Sequence, residues 1–210
     1  MDKSQFYKEI KLQIMENKLK GGQPLIESEY SKKFKISRTP VREVFRKLES
    51  DNLVKIIPNK GTYVRGLTLS DVAEILDIRI VLEGFAALKA AQKINANDIK
   101  KLNNIKLMIS KATESNEDDI FYRANKELHD LILERYGNRR VINILDSLKN
   151  EIHWFITITK KISGRKKNST IEHHKIISAL LAGDARQAKE FMIEHLQNTK
   201  EVLIESGYFL

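Results

Sequence analysis

The sequence contains no cysteine, and none of its apolar runs approaches the length of about eighteen residues that a membrane-spanning helix needs. The lack of cysteine excludes disulfides, thiolate chemistry and cysteine-based zinc sites, and it fits a reducing compartment. The residues after Met1 are polar, so nothing indicates export or membrane insertion. We therefore expect a soluble, cytoplasmic protein without a membrane partner.

Positive charge is concentrated in one part of the chain, whose formal net charge is +9. Residues 1–66 hold 15 Lys and Arg against 8 Asp and Glu, a balance of +7, whereas residues 67–210 hold 22 against 20, a balance of +2. Binding to a polyanion is strongest where positive charge is dense, because neutralised phosphates release their counterions. We expect a polyanionic partner to bind the first third of the chain.

The stretch 36–50 has the pattern of a one-sided helix with a basic outer face. Ser37 is a favourable N-cap. Apolar residues follow at helical spacing, namely Val41, Val44, Phe45 and Leu48. The opposite face carries Arg38, Thr39, Arg42 and Arg46. An α-helix fits the major groove of B-DNA, where arginine pairs with guanine and threonine contacts the thymine methyl group. The stretch is a candidate recognition helix, although an amphipathic surface helix gives the same pattern.

The surrounding elements predict a winged helix-turn-helix. They are helices at 4–20 and 27–35, before the candidate recognition helix, and β-prone runs at 53–57 and 62–65, after it. The two runs flank a Pro/Asn/Gly turn, which is typical of a hairpin. We expect the hairpin to form the wing, with Lys60 and Gly61 at a tip that reaches the adjacent minor groove.

Several runs in this region resemble the winged-helix signature of the GntR family of bacterial transcription regulators. They are 23–27, 36–43, 48–49, 53–54 and 58–61. The resemblance implies that Arg38 and Arg42 contact the operator. It also implies that Ser37 and Thr39 lie near phosphates or base edges, and that Gly61 forms the wing tip.

After a linker at residues 66–67 the chain is predicted to be all helical. The expected helices lie near 70–93, 96–113, 117–136, 138–161, 169–182 and 184–206, with glycine and asparagine at most of the breaks. Six antiparallel helices form a compact bundle. The predicted fold is therefore mainly α, with a DNA-binding domain at 1–66 and an effector-binding and dimerisation domain at 67–210. The basic stretch 164–168 is interpreted as a solvated loop.

All five histidines lie in the predicted bundle, and two of them, His173 and His195, are predicted to lie at one level. His129 comes one helical turn after Asn125, so the two side chains share a face. His173 and His195 stand at nearly equal distances, roughly 15–17 Å, on either side of the turn at Gly183 in an antiparallel helix pair. Three such imidazoles suit a divalent ion such as zinc or nickel, although buried histidines also serve as hydrogen-bonded core residues.

The bundle also resembles the FCD effector domain of the FadR subfamily of GntR regulators, and its length is closer to the VanR-like six-helix branch. The similar runs are 76–79, 82–83, 128–129, 137–138, 172–173 and 183–184, together with His195. The resemblance implies a divalent ion (Zn, Ni or Mn) at Asn125, His129, His173 and His195. Metal-binding members usually carry aspartate where this chain has Asn125, whose amide oxygen can coordinate but brings no charge.

Arg79 falls in the middle of a largely apolar helix, where an unpaired guanidinium is costly to bury. Either it pairs with Glu83 one turn later, or it faces a cavity and binds a carboxylate with two hydrogen bonds. The resemblance implies the second alternative, in which the arginine binds a small organic acid that also coordinates the metal. Arg123 and Trp154 are predicted to line the same cavity.

Together these features predict a ligand-responsive transcription regulator that is not an enzyme. We expect a repressor that binds a palindromic operator as a homodimer, because a two-fold axis relates two half-sites. Two other classes stay open at this point. One is an architectural DNA-binding protein whose bundle only dimerises. The other is a metal-dependent hydrolase, since three histidines with an open position can activate water, although no motif places a general base nearby.

Overall fold

The computed structural model describes residues 2–208, and this part of the chain is mainly helical. The helices are α1 (Lys3–Met15), α2 (Glu27–Phe34), α3 (Arg38–Ser50), α4 (Leu69–Ala91), α5 (Ala96–Glu114), α6 (Asp118–Tyr136), α7 (Arg139–Ser147), α8 (Lys149–Thr159), α9 (Arg165–Leu181) and α10 (Ala185–Glu205). The strands are β1 (Pro24–Leu25), β2 (Val54–Ile57) and β3 (Gly61–Val64). The predicted fold class is confirmed. No helix in the described range is long and apolar enough to cross a membrane.

The winged helix-turn-helix is built around α3, whose apolar face is buried. Its buried side chains are Val41, Val44, Phe45 and Leu48, as the helical spacing predicts. Strands β2 and β3 form the predicted antiparallel hairpin, with Ile57 opposite Gly61 at the turn. Strand β1 adds to the other edge of β3, with Leu25 opposite Thr62. This strand was not predicted, because two residues are too few to show alternation.

Helix α1 is shorter than the predicted helix at 4–20. It begins after Asp2, whose side chain accepts a hydrogen bond from the Gln5 backbone at 2.8 Å, while the Gln5 side chain accepts one from the Asp2 backbone at 3.3 Å. This reciprocal capping box fixes the start. The helix ends at Met15, and Asn17 turns the chain away with a left-handed φ of 59°.

The described residues form two compact units. Unit 1 runs to Thr68 and also includes Ser147–Thr157, and unit 2 contains Leu69–Asp146 and the chain from Ile158 onward. The sequence division at 66/67 assigned all of 147–157 to the second domain, whereas the structure packs this segment with the first. The single helix predicted at 138–161 is two helices, α7 and α8, and this break separates the segment from the bundle.

Trp154 of α8 belongs to the apolar core of unit 1. Its side chain is 5% exposed and lies in the same hydrophobic cluster as Phe6, Phe45 and the other buried residues of α1 and α3. A hydrogen bond also joins α8 to α1, because Asn150 Oδ1 accepts from Lys11 Nζ at 2.6 Å. Packing against α1 and α3 is therefore the role that the structure gives this helix.

Unit 2 is a helical bundle centred on α4 and α9. Helix α4 packs against α6, α9 and α10, and α9 packs against α5 and α10. His129, His173 and His195 lie on α6, α9 and α10. All three of these helices pack against α4. This arrangement positions the candidate metal centre.

Candidate nucleic-acid interface and candidate metal centre

The outer face of α3 is exposed along its whole length. The exposed residues include Arg38, Thr39, Arg42 and Arg46, and Ser37 at the N-cap is exposed as well. Ser37 caps through its backbone only, since its side chain makes no capping hydrogen bond. The structure thus brings these predicted DNA-binding side chains onto one accessible surface of unit 1. Their individual contacts with DNA stay predictions.

Arg42 already has a partner in the DNA-free protein. Its Nε donates a hydrogen bond to Glu27 Oε2 at 2.7 Å, and the two side chains are 61% and 33% exposed. An ion pair this exposed contributes about 0–1 kcal/mol, because water screens it. Arg42 can therefore exchange Glu27 for a phosphate or a base edge at low cost.

The wing tip is exposed and bends through left-handed backbone conformations. Asn59 has a φ of 60° and Gly61 has a φ of 110°, and both lie beside the exposed Lys60. The φ of Gly61 is one that side-chain-bearing residues rarely adopt. The Lys60 carbonyl accepts a hydrogen bond from Tyr63 Oη at 3.0 Å, which fixes the tip. Lys60 and Gly61 are thus presented at the end of the hairpin.

Three buried histidines form the candidate metal centre in unit 2. They are His129 of α6, His173 of α9 and His195 of α10, with exposed fractions of 8%, 0% and 5%. One ring nitrogen of each lies within 4.8 Å of the others, and the rings of His173 and His195 have centroids 4.5 Å apart. The structure brings together His173 and His195, which the helix spacing placed at one level, and adds His129 from a third helix.

Glu83 of α4 joins His129 to Arg79. The His129 Nδ1 lies 2.5 Å from Glu83 Oε2, and Arg79 donates from Nε to Oε1 at 2.5 Å and from Nη2 to Oε2 at 3.3 Å. Burial by itself would raise the pKa of the Glu83 carboxyl, but Arg79 and His129 hold that pKa far below its usual value. The sequence left two roles open for Arg79, pairing with Glu83 or binding a carboxylate in a cavity. The structure shows the pairing with Glu83. A contact between Arg79 and an effector stays a prediction.

Glu172 of α9 makes an equivalent connection between His195 and Arg165. The His195 Nδ1 lies 2.7 Å from Glu172 Oε2, and Arg165 donates from Nη1 to Oε1 at 2.9 Å and from Nη2 to Oε2 at 2.8 Å. Asn198 Nδ2 adds a hydrogen bond to Oε1 at 2.9 Å. Burial would raise the pKa of Glu172, but the contacts with His195 and Arg165 lower it to about 2.

Two of the three histidines, His173 and His195, have a pKa that burial lowers. Burial lowers the pKa of His173 well below its ordinary value, and the neighbouring imidazoles lower it further. Burial also lowers the pKa of His195 to about 4, against the opposing effect of Glu172. Neutral imidazoles are the form that binds a metal ion, so near neutral pH these two rings are ready to act as ligands.

The donor atoms of the cluster fit a divalent ion. Among the described residues, the buried polar atoms without a hydrogen-bond partner include the Nε2 atoms of His129 and His173 and also Oδ1 of Asn125, which comes one helical turn before His129. An unsatisfied buried polar group costs about 1–3 kcal/mol. Several such atoms in one place indicate a site whose ligand satisfies them. Nitrogen atoms with one amide oxygen are suitable ligands for zinc, nickel or manganese.

Arg123 and Trp154 were the other predicted effector contacts. Among the described residues, no observed hydrogen bond or ion pair joins either of them to this cluster. Arg123 of α6 is exposed, and Trp154 is part of the unit 1 core. Trp154 was predicted to line the cavity with Arg79, and its burial in unit 1 corrects that placement. The helix predicted at 138–161 is divided into α7 and α8, and Trp154 lies in α8.

Arg165 is a residue of the centre that sequence reasoning missed. The stretch 164–168 was interpreted as a solvated loop, but α9 begins at Arg165 and this side chain is 5% exposed. Its spacing of seven residues from Glu172, two helical turns, is the one signal in the sequence that places both on one face. That signal becomes visible only when the helix is extended back to residue 165.

Two known family models match this chain. Residues 3–64 match the model described as bacterial regulatory proteins, gntR family, and residues 74–198 match the FCD domain. The second match alone spans more than half of the chain.

Relatives of known name match over nearly the whole length. The chain is 29% identical to the uncharacterized HTH-type transcriptional regulator YdhC of Bacillus subtilis, over 95% of this chain and 89% of YdhC. It is 27% identical to the HTH-type transcriptional repressor RspR of Escherichia coli, over 94% and 86% of the two chains. The solved structure of E. coli McbR/YncC has the same fold, with a TM-score of 0.75 and 21% identity over 97% of both chains.

The two domains therefore contain the exposed basic helix, the wing and the buried histidines. The relatives that match them are named as transcription regulators. The chain belongs to the GntR family of bacterial regulatory proteins, carries an FCD domain and is a DNA-binding transcription regulator.

Proposed function

We propose that this regulator is a repressor that binds a palindromic operator as a homodimer and is controlled by a small organic acid. The acid is sensed through a divalent ion in unit 2. The observation that carries the proposal is the buried cluster of three imidazoles whose nitrogen atoms lie within 4.8 Å of one another. The basic face of α3 belongs to unit 1, so DNA and ligand are assigned to different units. Two separate sites are what allosteric control requires.

In the DNA-bound state, α3 lies in the major groove. Arg38, Arg42 and Arg46 are directed to guanine edges or phosphates, and the exposed side chains of Ser37 and Thr39 are close to the backbone. The support for this arrangement is the exposure of all five side chains and the balance of +7 in residues 1–66.

The wing and the dimer extend the same interface. Lys60 and Gly61 at the exposed wing tip contact the neighbouring minor groove. A two-fold dimer places two recognition helices at half-sites about 34–36 Å apart, which accounts for a palindromic operator.

The residues that would hold the ion are Asn125, His129, His173 and His195. When bound, a divalent ion supplies positive charge and open coordination positions for an oxygen ligand. Asn125 brings no charge to balance it, so an anionic ligand such as a carboxylate is favoured. The unpartnered Asn125 Oδ1 and the two unpartnered Nε2 atoms support this assignment.

Arg79 and Arg123 are the proposed protein contacts of the acid beyond the ion. Arg79 binds it only by exchanging a contact with Glu83, whose carboxylate now holds the guanidinium at 2.5 Å and 3.3 Å. Arg123 is exposed and needs no such exchange. The acid then changes operator affinity by binding one arrangement of the dimer more tightly than the other.

The test is a mobility-shift titration with the DNA that flanks the protein's own gene, with and without zinc and a panel of organic acids. We expect binding by the wild type, weaker binding by Arg38→Ala and unchanged binding by Arg186→Ala, an arginine of α10 with an 89% exposed side chain. At least one acid should release the DNA only when the ion is present. DNA binding that no acid or ion alters would indicate an architectural DNA-binding protein instead.

A further inference from the structure

The histidine cluster is flanked by two sets of side chains with the same connectivity. In one, Arg79 contacts Glu83 and Glu83 contacts His129; in the other, Arg165 contacts Glu172 and Glu172 contacts His195. All six residues are buried, with exposed fractions between 3% and 8%. We call the first the Arg79 set and the second the Arg165 set.

In each set the carboxylate determines which histidine nitrogen carries the proton. An ionised carboxylate only accepts hydrogen bonds, so the Nδ1 that faces it must be the donor. A histidine that binds a metal ion is neutral, and with the proton on Nδ1 its lone pair lies on Nε2. In His129 this Nε2 is buried without a partner among the described residues. No described residue therefore competes with an ion for this nitrogen.

The arginines keep the carboxylates in place. The two oxygens of Glu172 have about four acceptor positions in total, and four donors occupy them: two from Arg165 and one each from His195 and Asn198. Arg165 is itself fixed, because its Nη2 also donates to Thr199 Oγ1 at 2.7 Å. With every acceptor position used, the carboxylate has no equally good alternative orientation.

We propose that Arg79 and Arg165 are positioning residues of the metal centre. Each orients a glutamate that keeps the proton on the Nδ1 of one histidine, so that Nε2 presents its lone pair to the cluster. The role in metal binding rests on the function proposed above. The choice of tautomer does not, because it follows from the contact between each glutamate and its histidine and can be measured in protein from which metal has been removed.

The two sets lie on different helices, so a variant in one set serves as a control for a variant in the other. The Arg79 set is carried by α4 and α6, and the Arg165 set by α9 and α10. Arg165→Met removes the two hydrogen bonds to Glu172 while keeping a long side chain, and Arg79→Met does the same for Glu83. Each variant should change its own histidine and leave the other unchanged. Arg186→Met, at an exposed arginine, is the surface control.

The first measurement is long-range ¹H–¹⁵N correlation NMR of the metal-free, ¹⁵N-labelled full chain at neutral pH. We expect His129 and His195 of the wild type to be Nδ1–H tautomers. In Arg165→Met the His195 signals should move toward a mixture of tautomers while those of His129 stay, and Arg79→Met should give the reverse. An Nε2–H tautomer in the wild type, or an unchanged His195 in a folded Arg165→Met protein, would overturn the proposal.

The second measurement is calorimetric titration of zinc into the same proteins. Loss of a residue that orients a metal ligand lowers metal affinity by about 10- to 100-fold, and we expect a loss in this range for each methionine variant and none for Arg186→Met. A loss of zinc affinity without a change of tautomer would contradict positioning through the glutamates. If the wild type binds no zinc but the tautomers respond as described, the proposed metal site fails and the positioning role stands.

Milder variants are available should Arg165→Met not fold, as judged by circular dichroism. Thr199→Val removes one contact of Arg165, and Asn198→Ala removes one donor to Glu172. Each should shift the His195 tautomer and zinc affinity in the same direction as Arg165→Met, by a smaller factor. Wild-type values for both quantities in both variants would overturn the proposal.

Discussion

The arginines of α3 in unit 1 lie at the surface, whereas Arg79 and Arg165 in unit 2 are 7% and 5% exposed and paired with glutamates. The difference follows from the cost of burial. A guanidinium in water can exchange its partners freely, so the exposed residues can bind DNA phosphates and bases. A buried one must be paired and hydrogen-bonded, so it orients the groups that it contacts. The same residue type is therefore suited to recognition in one unit and to organisation of a site in the other.

The largest expected effect comes from breaking a buried pair. Glu83→Ala leaves Arg79 buried without its carboxylate, and loss of one partner of a buried ion pair costs about 3–5 kcal/mol. Unit 2 should unfold at a distinctly lower urea concentration, as followed by circular dichroism. A matched change at an exposed pair, Glu190→Ala beside Arg186, should leave the midpoint nearly unchanged. Equal midpoints for both variants would remove the distinction between buried and exposed arginines.

Arg38→Ala should have the opposite profile, with a large effect on DNA binding and little on stability. A two-hydrogen-bond contact between arginine and guanine contributes about 1–3 kcal/mol, so operator affinity should fall by at least about fivefold. Because Arg38 is exposed, the urea midpoint should not move. Fluorescence anisotropy with labelled operator DNA measures the first quantity. A lower midpoint with unchanged DNA affinity would indicate a structural role for Arg38.

Asn125→Asp is expected to increase the affinity for a divalent ion by about tenfold, a change of the size produced by altered ligand environments. The carboxylate adds the charge that the amide lacks. The same substitution should weaken binding of an anionic effector, since the ion then carries less uncompensated charge. Calorimetric titrations with zinc, and then with the acid, measure the two changes. Movement of both affinities in the same direction would argue against charge compensation by the effector.

The smallest expected effect concerns the exposed pair between Arg42 and Glu27. Glu27→Gln removes the charge that holds Arg42 at 2.7 Å, and stability should change by less than about 1 kcal/mol. Operator affinity should rise slightly, because Arg42 no longer exchanges a protein partner for DNA. Anisotropy titrations at two salt concentrations are the measurement. A clear fall in operator affinity would mean that the pair orients Arg42 for binding.

The parts of the structure that depend on local pattern were predictable. Helix α3 follows from its helical spacing, and the hairpin follows from two β-prone runs around a Pro/Asn/Gly turn. The meeting of His173 with His195 follows from an antiparallel helix pair joined at Gly183. The missed features depend on contacts between distant residues. The break between α7 and α8 falls at Leu148, which carries no turn signal, so the packing of Trp154 in unit 1 was not foreseen.

Arg165 illustrates the same limit. A lysine- and arginine-rich stretch is usually solvated. The burial of Arg165 within it depends on contacts with Glu172 of α9 and Thr199 of α10. The family resemblance pointed to the ligands of the centre but not to the residues that hold those ligands. These became visible only from the hydrogen bonds of the folded chain.

The central claim, that the three histidines form a metal-binding sensor site, is tested most directly by zinc titration of the metal-free protein. His173 is the variant to compare, because its ring is fully buried and its Nε2 has no partner among the described residues. We predict one ion per chain for the wild type and no measurable binding by a folded His173→Ala protein. Equal zinc binding by both proteins, or none by the wild type, would contradict the claim.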